Sequence, residues 1–330
     1  MNESQFITDE RQLEFSELLP GDILVFRAEK EDAVSLAISY LTDSDVSHSG
    51  IYLGLNNKGE AVFADEGALG LRPYIMKPNL KGQPVYVRRL KDICDIKPVL
   101  LKAQSYLHDT IPCDWTSLVL LALILLYKKN PVYKYPEKII TKVLLVAASA
   151  IDEYLSQKNN TEKELMICSQ FVFCCFEEAS KLEAKYKLDL YEDRYFKSSS
   201  SKEPNLIRRI FNEIHKSSRV IEFNAVEFED TYSDIESEIA LWVKLQRKKT
   251  FLLENKRTFE LHNDLIAAVI LFSDKWYELR FGERSLSSFE KLNRNAVDYN
   301  RSLFITPADL KLHMKNLDPL GWIPFDRMDE

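Results

Sequence analysis

Two kinds of patterning succeed one another along the chain. Short apolar runs with the period of strands dominate the first ninety or so residues, and longer stripes with the period of helices dominate the remainder. Leu19-Pro20-Gly21-Asp22 has turn chemistry, since proline presets one backbone dihedral and glycine permits positive φ, and it opens a predicted strand over 23–27. Asp32 precedes a predicted helix over 33–41 and suits its N-cap. The loop at 42–45 leads into the strand of DVSHSGIYLG, residues 45–54. There His48, Gly50, Tyr52 and Gly54 share one face, while Ser49, Ile51 and Leu53 share the other. Asn56-Asn57-Lys58-Gly59 reads as a hairpin turn into a strand over 60–66, and 84–90 reads as another strand. An amphipathic helix is predicted over 98–107, with Leu100, Leu101, Gln104 and Leu107 as its stripe.

Residues 117–127, SLVLLALILLY, are apolar all round, yet the run is far shorter than the ~20 residues a spanning helix requires. A second apolar patch at 143–148 comes after a polar link containing Lys128, Lys129 and Pro131. Two readings compete for this hairpin of about 115–158: a buried helical pair, or a surface that receives acyl chains or makes peripheral membrane contact through 117–127. Burial is favoured, because short apolar helices are mostly core. After a polar break at 159–161, a helix is predicted over 168–182 with Phe171, Val172, Cys175, Phe176 and Ala179 buried. Residues 197–204 form a Ser/Lys-rich joint. Beyond it, Ile235, Ile239 and Trp242, and then Leu261, Leu265, Val269 and Phe272, mark at least two long amphipathic helices. Thr306, Pro307 and Asp309 mark a late helix start, with the threonine as cap and the proline at the first helical position.

Composition narrows the class. With 45% hydrophobic and 29% charged residues, the balance is that of a globular chain. Only 9 glycines and 12 prolines in 330 residues argue against a loop-dominated all-β chain, so helix should exceed strand. A net charge of -7 disfavours binding to a phosphate backbone, so no nucleic-acid partner is expected. Basic groups such as Arg88-Arg89, Arg208-Arg209 and Gln246-Arg247-Lys248-Lys249 are read as solvated faces. The N-terminal MNESQFITDERQ has no apolar segment of the kind a secretory signal carries. The five cysteines, an odd number, show no disulfide spacing. A cytoplasmic, reducing location is the default expectation, and export by a non-classical route is compatible with it. No G-x-G-x-x-G, Walker A, H-E-x-x-H or C-x-x-C pattern occurs, so neither a cofactor nor a metal is expected; His108 and Cys113 are read as a helix end and a loop thiol.

Two side chains have chemical potential together. Cys168 falls in the first turn of its predicted helix, where backbone N–H groups and the helix dipole favour a thiolate. Cys174 and Cys175 lie deeper in that helix and are read as core. A thiolate there needs an imidazole to share the proton. His48 is the candidate, because small neighbours leave its face open and because His215, His262 and His313 belong to the helical C-terminal part. A third group should hold the imidazole in one tautomer. Asp65 and Glu66 end the strand that pairs with the histidine strand, and without the register either could face His48.

Leu19-Pro20-Gly21-Asp22-Ile23-Leu24-Val25-Phe26, Ser47-His48-Ser49-Gly50-Ile51-Tyr52-Leu53-Gly54, Ile167-Cys168-Ser169-Gln170-Phe171-Val172 and Ile305-Thr306-Pro307-Ala308-Asp309-Leu310 together resemble the motifs of the circularly permuted NlpC/p60 papain-like cysteine hydrolases. The resemblance implies an α+β fold: a permuted papain-like core with an antiparallel sheet packed on the cysteine helix, joined by a helical insertion and a helical subdomain. It divides the chain into a core over 15–200 interrupted by the hairpin 115–158, a mainly helical subdomain over 201–300, and a closing segment over 301–325. It implies Cys168 as nucleophile and His48 as base, and it favours Glu66 as the third polar residue. Two positions depart from the family pattern: Ile167 stands where tyrosine is frequent, and Gln170 where glutamate is frequent. The implied activity is hydrolysis or acyl transfer at an amide or ester through a thioester. The apolar hairpin suggests a lipid-like or acyl substrate, as in lecithin:retinol-acyltransferase-like relatives of the fold, with a murein-type peptide as the alternative. The rival reading is a catalytically silent papain-like module that binds a lipid or a partner protein. Oligomeric state is left open.

Overall fold

The computed structural model describes residues 11–67, 70–79, 82–92, 95–107, 115–127, 137–157, 166–191, 205–217, 232–247, 261–282 and 305–329. Cys94, His108 and Cys113, the polar break at 159–161 and the joint at 197–204 lie outside the described residues. In chain order come β1 (Ile23–Arg27), α1 (Ala33–Leu41), β2 (Val46–Leu55), β3 (Ala61–Gly67), β4 (Gly70–Pro78) and β5 (Pro84–Leu90). Next come α2 (Lys97–Leu107), α3 (Thr116–Tyr127), α4 (Glu137–Gln157), α5 (Cys168–Ser180), α6 (Leu206–Ser217), α7 (Tyr232–Arg247), α8 (Asn263–Phe281), α9 (Pro307–Leu312) and β6 (Leu317–Asp329).

The fold class is α+β, and its centre is an antiparallel sheet of six strands in the order β1-β2-β3-β4-β6-β5, closed into a barrel by pairing of β1 with β5. One face of every strand feeds a single apolar cluster: Leu24, Tyr52, Phe63, Tyr74, Val85 and Ile323 come one from each strand, so this face is the barrel interior. Residues of the opposite parity, Ile23, Val25, Ile51, Ala64 and Tyr86, face outward and pack against α5 through Phe171, Val172, Cys175, Phe176 and Ala179. That stripe on α5 is the one its helical period predicts.

Two strands, β4 and β6, have no counterpart in the elements predicted from the sequence. Each holds two prolines, Pro73 and Pro78 in β4 and Pro319 and Pro324 in β6, and proline removes a ladder donor and argues against a paired strand. The barrel accommodates Pro319 opposite Arg88, next to a register shift between Val87 and Arg88. Gly321 (φ 147°) lets the backbone of Arg11 approach, since a Cβ there would sit 2.1 Å from the Arg11 carbonyl. The expected closing segment is therefore a helix followed by a strand that runs on to Asp329. The predicted stripe of α2 holds in part: Leu100 and Leu107 pack half-buried against the core shared with α5, but the fully buried positions are others. Val99 and Ala103 are buried while Leu101 is 54% exposed, because the helix leans on α5 by its small residues.

Above the barrel the remaining helices share one apolar core. α1 packs on α3 and α7, α3 on α4 and α6, and α4 on α7 and α8. Ile235, Ile239 and Trp242 of α7 and Leu265, Val269 and Phe272 of α8 all enter it. α3 is buried along its whole apolar length, from Leu118 to Tyr127, which explains a sequence without a polar face. Among the described residues no helix is long and apolar enough to cross a membrane. Ile167 and Cys168 belong to this same helical core, so the start of α5 is the seam between barrel and helices.

α9 locks that seam. Thr306 caps it by accepting from Asp309 N–H at 3.2 Å, Asp309 Oδ2 accepts from Thr306 N–H at 2.8 Å, and Pro307 stands at the helix start. Ser169 donates to the Ile305 carbonyl at 2.6 Å, and Lys311 donates to Asp45 at 2.5 Å, which ties α9 to α5 on one side and to the start of β2 on the other. Replacing Thr306 with alanine removes the cap hydrogen bond and is expected to cost about 1 kcal/mol. In urea unfolding this appears as a lower midpoint with an unchanged slope.

Candidate active site

β2 delivers His48 to the interior face of the barrel, opposite Phe26 of β1, whose ring centroid is 5.4 Å from the imidazole. The ladder between β2 and β3 pairs Gly50 with Asp65, so Asp65 lies on the same face as His48, one diagonal away. His48 Nε2–H donates to Asp65 Oδ2 at 2.9 Å. Asp65 is wholly buried and also accepts from the Arg327 guanidinium of β6. Arg327 in turn lies 4.5 Å from the centroid of the Tyr74 ring and 5.7 Å from those of Phe26 and Phe63, a contact that favours a cation. Gly50 is required where it stands: a Cβ would come within 2.6 Å of the Ala64 carbonyl and 3.0 Å of Asp65 Cβ.

The register resolves the two carboxylates. Asp65, not Glu66, meets His48, because consecutive strand residues face opposite sides and only the odd position shares the interior with the histidine. Glu66 points outward, to the side where α5 and the start of α3 pack. It is 3% exposed, and neither of its oxygens makes a hydrogen bond of ordinary geometry. Burial drives its carboxyl well above the usual range. The nearby Thr116 hydroxyl offsets this only in part, the Cys168 charge adds to the rise, and His48 and Asp65 act in opposite directions beyond that. Glu66 is thus a buried carboxyl whose protonated form is favoured, and it feels the charge of Cys168.

Cys168 opens α5. Its predecessor Ile167 is extended (φ -85°, ψ 149°) and has no side-chain acceptor with which to cap the first turn. The Gln170 side chain reaches back instead, accepting from Ile167 N–H at 3.4 Å. First-turn N–H groups without an N-cap acceptor favour negative charge at the helix start. Burial pushes the Cys168 thiol up, but the neighbouring imidazole, both by its charge and by a hydrogen bond, and the Ser49 backbone N–H outweigh it, and the thiol lies below its ordinary value. The reciprocal effect acts on the imidazole. Burial pulls His48 down, yet the Cys168 thiolate first and then Asp65 raise it to about 10. With Nε2 given to Asp65, Nδ1 is the nitrogen left for the sulfur. The arrangement favours a thiolate on Cys168 and an imidazolium on His48, with the ring held in one orientation by a carboxylate that is itself held by an arginine.

Cys168 and His48 are brought together as the sequence suggests. Arg327 carries no sequence signal, because nothing in DRMD distinguishes it from a surface basic residue. Cys174 and Cys175 are buried in the core face of α5, where burial drives the Cys175 thiol well up. His313, at the C-cap of α9, pairs with Asp309 at 3.0 Å, and His262 is exposed beside Glu137. Among the described residues no cluster of three or more His, Cys, Asp and Glu side chains is arranged to hold a metal ion. No protein-family model matches the chain, and comparison with curated proteins and with solved structures returns no match.

The pair predicts a pH profile for thiol alkylation by iodoacetamide. Reactivity should rise as the thiol loses its proton below the ordinary cysteine value. In His48→Ala only the Ser49 N–H still opposes burial, and the Asp65 charge adds to the rise, so the profile should move to higher pH and reactivity at pH 7 should fall by about an order of magnitude or more. Gly50→Ala should lower reactivity as well, because the added methyl displaces Asp65 from its bond to His48. Intact-mass measurement of the alkylated fraction over time checks both.

Proposed function

We propose that the chain is a thiol hydrolase or acyltransferase, built on a circularly permuted NlpC/p60 papain-like core and acting on an amide or ester carbonyl. The observation that carries this reading is the placement of Cys168 at the start of α5 against His48, whose ring is bonded to Asp65 at 2.9 Å, an arrangement that draws the thiol down and the imidazole up. Structural cysteines in apolar surroundings shift the other way, as Cys175 does. The order of histidine before cysteine, and a barrel whose outer face packs on the cysteine helix, are also what the permuted core requires.

In this reading the Cys168 thiolate attacks the carbonyl carbon. The C–S bond forms and the carbonyl π pair moves to oxygen, where the Cys168 backbone N–H donates to it. Collapse of the intermediate expels the amine or alkoxide, which takes the proton from His48 Nδ1, and a thioester remains. His48, now neutral, accepts a proton from water or another acceptor as that group attacks the thioester, and the thiolate leaves. Asp65 holds the Nε2–H tautomer throughout and stabilises the imidazolium. An apolar acyl group suits the site, because Ile167 and Cys168 adjoin the core formed with α3 and α4.

The test uses 4-nitrophenyl octanoate as an acyl donor. A burst of 4-nitrophenol is expected, with an octanoyl adduct on Cys168 found by peptide mass analysis and no burst from Cys168→Ala. Undiminished turnover by Cys168→Ala would sink the enzyme reading and leave the silent binding module. The pH profile of acylation should rise through the lowered thiol value and fall near pH 10, where the imidazolium loses its proton. In Asp65→Asn the alkaline limb should move down, since one of the influences raising His48 is gone.

A further inference from the structure

The proposed acyl-transfer chemistry leaves one buried ionisable group without a task. Glu66 is 3% exposed, both its oxygens lack hydrogen bonds of ordinary geometry, and it feels the charges of Cys168, His48 and Asp65. A buried carboxyl without a cation or a set of donors is costly to ionise and costly to leave unpaired. A polar group so placed beside a nucleophile is explained when something that is absent from the resting site becomes its partner. Its neighbour Asp65 shows the contrast. It has an arginine and a histidine, and it lies on the other face of the same strand.

We infer that Glu66, as a neutral carboxylic acid, donates its O–H to the substrate oxygen that becomes negative when Cys168 attacks, completing with the Cys168 N–H a two-donor oxyanion site. The inference rests on the proposed acyl-transfer chemistry and assigns Glu66 a different role from that of orienting His48. Three features support it. β3 turns Glu66 to the outer face, against which α5 packs and where Cys168 begins that helix. Thr116, the first residue of α3, lies beside the carboxyl and is itself buried, so the group is walled off from water. In a dry environment a fixed donor gains most when charge develops opposite it. The proton is shared in the hydrogen bond and stays on Glu66. No bond to Glu66 is made, and the proton for the leaving group still comes from His48.

The experiment compares Glu66→Leu and Glu66→Gln by two readouts on the intact chain, burst acylation by 4-nitrophenyl octanoate and alkylation of Cys168 by iodoacetamide. Alkylation needs the thiolate but develops no oxyanion, so it reports the ion pair and the integrity of the fold alone. Glu66→Leu should lose about a hundredfold in acylation with alkylation unchanged. Glu66→Gln, which keeps an N–H donor of similar reach, should recover most of the loss. Equal losses in both readouts would overturn the inference and make Glu66 a support of the thiolate. Unchanged acylation in Glu66→Leu would overturn it too, as would a Glu66→Gln variant as slow as Glu66→Leu. Failure of the wild-type chain to form the Cys168 acyl adduct at all is a separate result and strikes the acyl-transfer reading itself.

Discussion

A carboxylate buried to completion must have its charge met, or it will not remain a carboxylate. At Asp65 the charge is met twice, by Arg327 and by His48, and this three-residue chain governs the rest of the candidate site. It fixes which ring nitrogen of His48 is engaged and therefore which is left for Cys168. It also fixes where β6 must end, because Arg327 is the third residue from the end of that strand. Breaking one partner of such a group costs more than the pair gains over an apolar substitute, since the remaining charge stays buried. β2, β3 and β6 are therefore held in register by electrostatics as well as by the sheet's ladder hydrogen bonds.

Barrel closure obeys the same constraint. β6 is paired on both sides, with β4 and with β5, so the strand that brings Arg327 to Asp65 also removes the last open edges of the sheet. α9, just before it, bonds to α5 through Ser169 and Ile305 and to the start of β2 through Lys311 and Asp45. Lys311 stacks over the Tyr86 ring at 3.3 Å, and Tyr86 donates to Asp45, so the start of the histidine strand is anchored by a buried charge cluster. The cysteine helix and the histidine strand come from distant parts of the chain. One short C-terminal segment positions both.

Local signals are readable in the sequence, and long-range ones are not. The turn at Pro20-Gly21, the hairpin at Asn56–Gly59, the core stripe of α5 and the cap of α9 each depend on neighbours in sequence, and each lies where its residue types indicate. His48 and Cys168 are legible because a histidine among small strand residues and a cysteine at a helix start are both unusual placements. The choice between Asp65 and Glu66 is not legible. It needs the register of β2 on β3, and a shift of one residue exchanges them. β4 and β6 are hidden by their prolines, and with β6 goes Arg327. The stripe on α2 departs from its apolar period because hydrophobicity favours leucine, whereas close packing on α5 selects Val99 and Ala103. α3 shows the converse: with no polar face there is no period to read, and only the surrounding helices explain it.

The helical layer does more than bury apolar surface, because one dry environment has opposite consequences for neighbouring groups. Burial by itself raises a thiol and lowers an imidazole, so it opposes both members of the Cys168–His48 pair. Their mutual attraction prevails because the same low dielectric that penalises each charge strengthens the interaction between them. Glu66, next to Asp65 in the strand but turned to the other face, has no such partner, and there burial wins and drives the carboxyl well above its usual range. Two adjacent carboxyls are thus given different surroundings by which face of β3 each occupies, Asp65 meeting Arg327 and His48 and Glu66 meeting neither as a hydrogen-bond partner. The alternation of a strand, a purely geometric property of the backbone, decides which carboxyl meets the cations and which is left to burial.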